Sequence, residues 1–299
     1  MIKRFPNNSR VVFIGDSLTA ANISLKWIRK AYQGLEDADN IRFINCGVAG
    51  GTADFAVQSY VHDILRYRPT HAVISFGIND SRRELLATPR SPERHGALVD
   101  AFARYKSSLA ALVSLLTLDG VEVILCTPVP YDEYSEGEQA ALPGGYALML
   151  GYAEYVRRLA DSKGVTLYDQ HAVISRLMEA DQLHSADRIH MSDHGYYVLA
   201  RELLREQGIE LTEEESVSTA FEPWHSYVAR LRKVLATECM LVPRLGEDMD
   251  SPAAVKLEKM QKMIDDEAWG VPVLESFCRA YMADKPHEAE LYRLVDETY

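Results

Sequence analysis

Five short apolar runs alternate with stretches at helical spacing, and each run breaks off at a turn of glycine or polar residues. The runs are Val11-Val12-Phe13-Ile14, Ile41-Arg42-Phe43-Ile44-Asn45, His71-Ala72-Val73-Ile74-Ser75-Phe76, Val121-Glu122-Val123-Ile124-Leu125-Cys126 and Val165-Thr166-Leu167-Tyr168. Near-continuous apolar strands rich in β-branched residues are buried on both faces, as strands of a parallel sheet are. Strand–helix alternation means βαβ units, hence a parallel sheet with helices on both sides. Such a sheet places ligands beyond the carboxyl ends of its strands, so the residues just after each run carry the interest.

The first run ends in Gly15-Asp16-Ser17-Leu18. The second leads into Gly47-Val48-Ala49-Gly50-Gly51-Thr52, the third into Gly77-Ile78-Asn79-Asp80. Any one of these reads equally as an ordinary tight turn or helix cap. Between the elements, a helix is expected through Phe55, Tyr60 and Leu65, an irregular connection with four arginines (Arg82, Arg83, Arg90, Arg94) over 81–96, and a long helix from about Leu98 to Leu118. A loop from Tyr131 to Gly145, rich in tyrosine and acidic residues, follows the fourth strand. Asp187-Arg188-Ile189-His190 then precedes a helix that Ser192 caps.

From about Leu211 the alternation stops. Segments such as Trp224, Val228, Leu231 and Leu235 show helical spacing only. The expected organisation is an α/β domain over 1–210 and an α-helical extension over 211–299. The extension could serve as a lid or as the interface of a homo-oligomer.

Composition narrows the function. A net charge of −12 disfavours nucleic acid or anionic membrane as partner, since both call for a basic face. There is no apolar run long enough to span a membrane, and Met1 to Asn8 lead straight into the first strand without a signal-like segment. The expectation is a soluble, cytoplasmic protein. Cys46, Cys126, Cys239 and Cys278 are scattered and form no C-x-x-C pair, so buried free thiols are expected rather than disulfides or a metal knuckle.

Together the strand-end residues supply the parts of an acyl-transfer site: a hydroxyl nucleophile in Ser17, an imidazole base in His190, and an orienting carboxylate in Asp187. The backbone N–H groups of Ser17 and Gly50 and the side-chain amide of Asn79 could serve as oxyanion donors. In this reading neither metal nor cofactor is needed. Two other readings use the same residues: a metal site from His190 and His194 with Asp187 and Asp193, and a non-catalytic small-ligand module on the same sheet.

In order along the chain, Gly15-Asp16-Ser17-Leu18, Asn45 to Thr52, Gly77-Ile78-Asn79-Asp80 and Asp187-Arg188-Ile189-His190 resemble the four motif blocks of the SGNH (GDSL) hydrolase family. The resemblance covers about residues 8 to 208, and among Gly47, Gly50 and Gly51 it implies Gly50 as the glycine donor. It implies a flavodoxin-like three-layer α/β/α fold, a Ser-His-Asp esterase mechanism, and substrates ranging over lipids, acetylated sugars, aryl esters and thioesters. The D-x-x-H spacing also occurs at Asp181-Gln182-Leu183-His184; Asp187 and His190 are preferred because they directly precede the Gly195-Tyr196 helix, which leaves His184 for the loop surface. For substrate, the acidic loop argues against anionic head groups and Tyr131, Tyr134 and Tyr146 suit a sugar ring, whereas the arginines would attract anions. A short-acyl or acetyl ester of a small or carbohydrate-like compound is the expected substrate, with lysophospholipase or thioesterase activity as the alternative.

Overall fold

The computed structural model describes residues 2–35, 38, 40–135 and 140–211. The expected helical extension, from residue 212 onward, lies outside the described residues, as do Cys239 and Cys278. The described elements run β1 (Arg10–Gly15), α1 (Ser17–Ala20), α2 (Ile23–Gln33), β2 (Arg42–Gly47), α3 (Ala53–Gln58), β3 (His71–Ser75), α4 (Pro92–Leu118), β4 (Glu122–Cys126), α5 (Gly145–Lys163), β5 (Thr166–Tyr168), α6 (Gln170–Leu177) and α7 (Asp193–Glu206). The five strands form one parallel sheet in the order β2-β1-β3-β4-β5, the flavodoxin-like order.

Strand alternation sorts the core into two layers. Val12, Ile14, Ile74 and Leu125 face one side and pack with Ala56 of α3, Leu109 and Leu112 of α4, and Tyr152 and Val156 of α5. Val11, Phe13, Val73 and Ile124 face the other and pack with Trp27 and Ile28 of α2, Ile174 of α6, and Leu199 and Leu203 of α7. Helices therefore cover both faces, and the sheet is the middle of three layers.

The order 2-1-3 matters most for function. From β1 the chain steps outward to β2, then crosses back to lay β3 on the other side of β1, so the loops after β1 and β3 diverge and open a crevice at the strand ends. Close packing beneath that crevice requires a small residue at Gly15, where a Cβ would run into Thr19 of α1 and the Ser75 carbonyl of β3.

Two elements differ from the sequence expectation. Helix α4 begins at Pro92, not near Leu98, with Ser91 accepting the Arg94 N–H at 3.1 Å as its cap. Its first turns are mostly exposed, so they carry no apolar stripe, and only the Ser-Pro cap signals them. The helix expected through Phe55 to Leu65 stops at Gln58 and gives way to a π-helical turn, Tyr60–Ile64, then a 3-10 turn, Leu65–Tyr67, closed by left-handed Arg68. Tyr60 and Ile64 are buried as an α-helix would also bury them at i, i+4, so apolar spacing does not reveal the change of helix type.

Candidate active site

Ser17 is the first residue of α1, directly beyond β1. Asp16 is the cap, its carboxylate accepting the Leu18 N–H at 3.0 Å, which fixes the sharp turn and leaves the Ser17 side chain half-buried at the crevice. The structure brings the three residues named from the sequence together. Ser17 Oγ lies 2.7 Å from His190 Nε2, and His190 Nδ1 lies 2.5 Å from Asp187 Oδ2. With Nδ1–H donating to the carboxylate, Nε2 is left as the acceptor for the Ser17 hydroxyl.

Asp187 is held as firmly as it holds His190. Its Oδ1 accepts Ser185 Oγ–H at 2.7 Å and the N–H groups of Ile189 and His190 at 3.0 and 2.9 Å. Burial alone would raise its carboxyl, but the bond from His190 and these three donors outweigh it and hold Asp187 well below the usual carboxylate range.

Around Ser17 the proposed donors sit on two loops that are stitched together. Val48 to Gly51 form a tight turn closed by the Gly51 N–H on the Val48 carbonyl at 2.8 Å. Gly50 takes its left-handed position at φ 73°, where any side chain would be strained. Asn79 Nδ2 donates to the Gly51 carbonyl at 3.1 Å, and Asp80 Oδ1 accepts the Ala53 N–H at 2.9 Å. Neither the Ser17 nor the Gly50 N–H has a hydrogen-bond partner among the described residues, and Asn79 keeps one amide hydrogen unspent.

Asn45 and Asp80 stand in the sequence motifs without an assigned role. Asn45 spans the end of β2, donating to the Thr19 carbonyl at 2.9 Å and accepting the Gly47 N–H at 2.8 Å, so it locks α1 to the glycine loop. A polar residue at the end of an apolar run was the available signal.

Asp80 is 9% exposed and its Oδ2 meets no partner among the described residues. Burial pushes its carboxyl from 3.8 up to about 7, against the pull of the Ala53 N–H and with the nearby Asp16 carboxyl adding to the rise. Burial likewise pushes Asp16 up to about 6, opposed by the Leu18 N–H, His190 and Arg83. With its carboxyl raised in the fold, Asp80 holds its proton at pH values where the unfolded chain has released it, so the contribution of this group to stability falls as pH rises from about 4 to about 7 and then levels off. Asp80→Asn removes that slope. Relative to wild type its stability should gain about 3 kcal/mol more at pH 8 than at pH 5, several degrees in Tm; an equal difference at both pH values would contradict a protonated Asp80.

Several expectations are corrected. His184 is not on the loop surface: it is 2% exposed, and its Nε2–H donates to the Pro130 carbonyl at 2.9 Å. The antiparallel bridge between His184 and Met191 turns it inward, and burial lowers its pKa. Tyr131 is buried against Gly145, with its hydroxyl accepting the Leu142 N–H at 3.1 Å, so its ring is not open to a ligand; Tyr134 is exposed. The loop's described acids also act internally. Asp132 accepts the N–H groups of Tyr134 and Ser135, and Glu133 those of Gly144 and Tyr146. Among the arginines, Arg82 pairs with Glu84, while Arg83 and Arg94 donate to the carbonyls of Ile78 and Thr88. His194 faces Asp181 and Tyr197. Cys46 and Cys126 are buried free thiols. Among the described residues no helix is long and apolar enough to cross a membrane.

A strand-end serine hydroxyl hydrogen-bonded to an imidazole that a carboxylate orients is an arrangement suited to acyl transfer. The GDSL-like lipase/acylhydrolase family matches residues 13–198. The chain belongs to that family and is a carboxylic ester hydrolase. An acetylxylan esterase of Geobacillus stearothermophilus is 28% identical over 225 residues, 68% of this chain and 96% of that protein. The fold is shared with the crystal structure of Axe2, an acetylxylan esterase from the same organism, at a TM-score of 0.58 and 24% identity over 70% of this chain and 99% of that one. A gut microbial diltiazem-metabolizing enzyme has the same TM-score of 0.58 and 24% identity over 69% of this chain, which spans only 48% of that enzyme.

Proposed function

We propose that this chain is a serine esterase that removes short acyl groups, acetyl above all, from a carbohydrate-like compound through Ser17, His190 and Asp187. The hydrogen-bonded sequence from the Ser17 hydroxyl through His190 to Asp187 carries the reading. Ser17 Oγ attacks the ester carbonyl as its proton passes to His190 Nε2, and the Asp187 carboxylate stabilises the imidazolium that results. Negative charge gathers on the former carbonyl oxygen, where the N–H groups of Ser17 and Gly50 and the Asn79 amide donate; each such donor is worth about 3 kcal/mol of barrier. His190 then gives its proton to the leaving alcohol. Water, activated by the same imidazole, releases the acyl group from Ser17 and regenerates the hydroxyl.

Three solved variants of Axe2, described as catalytic mutants, carry alanine in place of one serine, one aspartate and one histidine. That residue set supports the roles of Ser17, Asp187 and His190, and the acetylxylan esterase relative supports acetyl and sugar as the two halves of the substrate. Asp132 and Glu133 are engaged by backbone N–H groups within their own loop, and Tyr134 is left as an open aromatic surface.

A series of p-nitrophenyl esters of rising acyl length tests the substrate half. The acetate should have the highest kcat/KM, with a loss of about tenfold or more by eight carbons, since acyl groups that outgrow a short pocket lose transition-state binding. A preference for the longer chains would contradict it.

A further inference from the structure

Between Asp187 and His190 sits a residue whose backbone conformation favours glycine. Arg188 has φ 67°, in the left-handed region where a Cβ is crowded and a non-glycine residue persists only if its surroundings hold it. Its side chain is only 6% exposed, uncommon for a guanidinium. Nη1 donates to the carbonyls of Ser135 at 2.6 Å and Asp132 at 3.2 Å, and the Asp132 N–H donates back to the Arg188 carbonyl at 3.1 Å. The bond from His184 to the Pro130 carbonyl adds a further tie. The loop after β4 is therefore fastened onto the segment that carries Asp187 and His190.

Beyond Asp132 that loop turns outward. Tyr134 is 74% exposed, and its ring centroid lies 5.8 Å from that of Tyr146, which in turn packs edge-on against buried His171. An exposed aromatic face backed by a second ring is suited to stacking on the apolar face of a sugar. In the proposed mechanism His190 hands a proton to the leaving oxygen, and the 131–135 loop is tied to the segment that carries His190.

We propose that Arg188 is a positioning residue for the leaving group: it fixes the 131–135 loop against the acid–base segment so that Tyr134, backed by Tyr146, forms the wall on which the sugar of an acetylated oligosaccharide rests. This role rests on the esterase reading of the site. Glycine would satisfy the backbone at position 188 without strain, so the contacts of the side chain account for arginine there.

The test compares wild type, Arg188→Gly and Tyr134→Ala on two esters with the same acyl group, p-nitrophenyl acetate and an acetylated xylo-oligosaccharide. In both variants kcat/KM for the oligosaccharide, relative to that for p-nitrophenyl acetate, should fall about tenfold or more through a higher KM. A purely structural role would lower both esters in proportion, and a purely backbone role would leave Arg188→Gly like wild type. Tyr134→Ala alters an exposed ring and keeps the test decisive if Arg188→Gly folds poorly. An unchanged ratio in Tyr134→Ala, or in folded Arg188→Gly, would overturn the proposal while leaving the esterase reading in place. A wild type that hydrolyses neither ester would remove both.

Discussion

Replacing Ser17 with alanine is expected to lower kcat by about 10⁵-fold or more while leaving the melting temperature nearly unchanged. The two halves of this expectation come from different parts of the structure. Ser17 Oγ makes the 2.7 Å contact with His190 Nε2, and with that oxygen removed no acyl-enzyme can form at this position. Residual turnover above water would come from oxyanion donors and binding alone. The fold has little to lose, because Ser17 is half-buried and the α1 cap belongs to Asp16. Alanine is also a better helix former than serine. Steady-state hydrolysis of p-nitrophenyl acetate together with a thermal melt checks both halves. A variant that folds and retains a tenth or more of wild-type turnover would contradict the assigned nucleophile.

Asp187→Asn should lower kcat by about 10⁴-fold with little change in KM. An asparagine at this position could keep Oδ1 as acceptor for Ser185, Ile189 and His190, which preserves the turn. Its amide would then face His190 Nδ1 with a donor where the carboxylate accepted at 2.5 Å. The imidazole must respond by moving its own hydrogen to Nε2, so the ring presents a donor to Ser17 and can no longer take its proton. The variant also lacks the negative charge that stabilises the imidazolium. Because Asp187 is held well below the usual carboxylate range, wild type keeps this charge from neutral pH down into strong acid, so no loss of activity in mild acid originates there. The stability that the depressed carboxyl contributes is present above its ordinary value of 3.8 and is lost only as pH falls through the lower folded one. A kcat within tenfold of wild type would show that another group orients the base.

Much of the candidate site was legible in the sequence because its proposed parts follow strand ends. Ser17, the glycine turn at 47–51 and Asn79 each follow an apolar run, and runs of Val, Ile and Phe with abrupt polar ends identify strand termini without any knowledge of pairing; the choice of Gly50 within that turn rests on the family pattern. Asp187 and His190 were legible through their position before a Ser192-capped helix. What was not legible depends on long-range contact. The burial of His184 left no local mark: it arises because the bridge to Met191 turns His184 toward the Pro130 carbonyl. Tyr131 and Tyr134 are three residues apart in a loop without regular structure, and only the packing of Tyr131 against Gly145 decides which ring is buried. The early start of α4 was hidden because exposed helical turns carry no apolar stripe. Arg188 was hidden for the opposite reason, since a positive φ at a non-glycine residue leaves no mark in composition or spacing.

The most direct test of the central claim is to treat the protein with a fluorophosphonate ester and locate the adduct by peptide mass spectrometry. The reagent phosphonylates only a serine whose hydroxyl is activated by a neighbouring base. One adduct is expected, on Ser17, formed in step with loss of activity, nearly abolished in His190→Ala and retained in folded His184→Ala. An adduct on a different serine, or stoichiometric labelling of Ser17 that leaves esterase activity intact, would contradict Ser17 as the nucleophile.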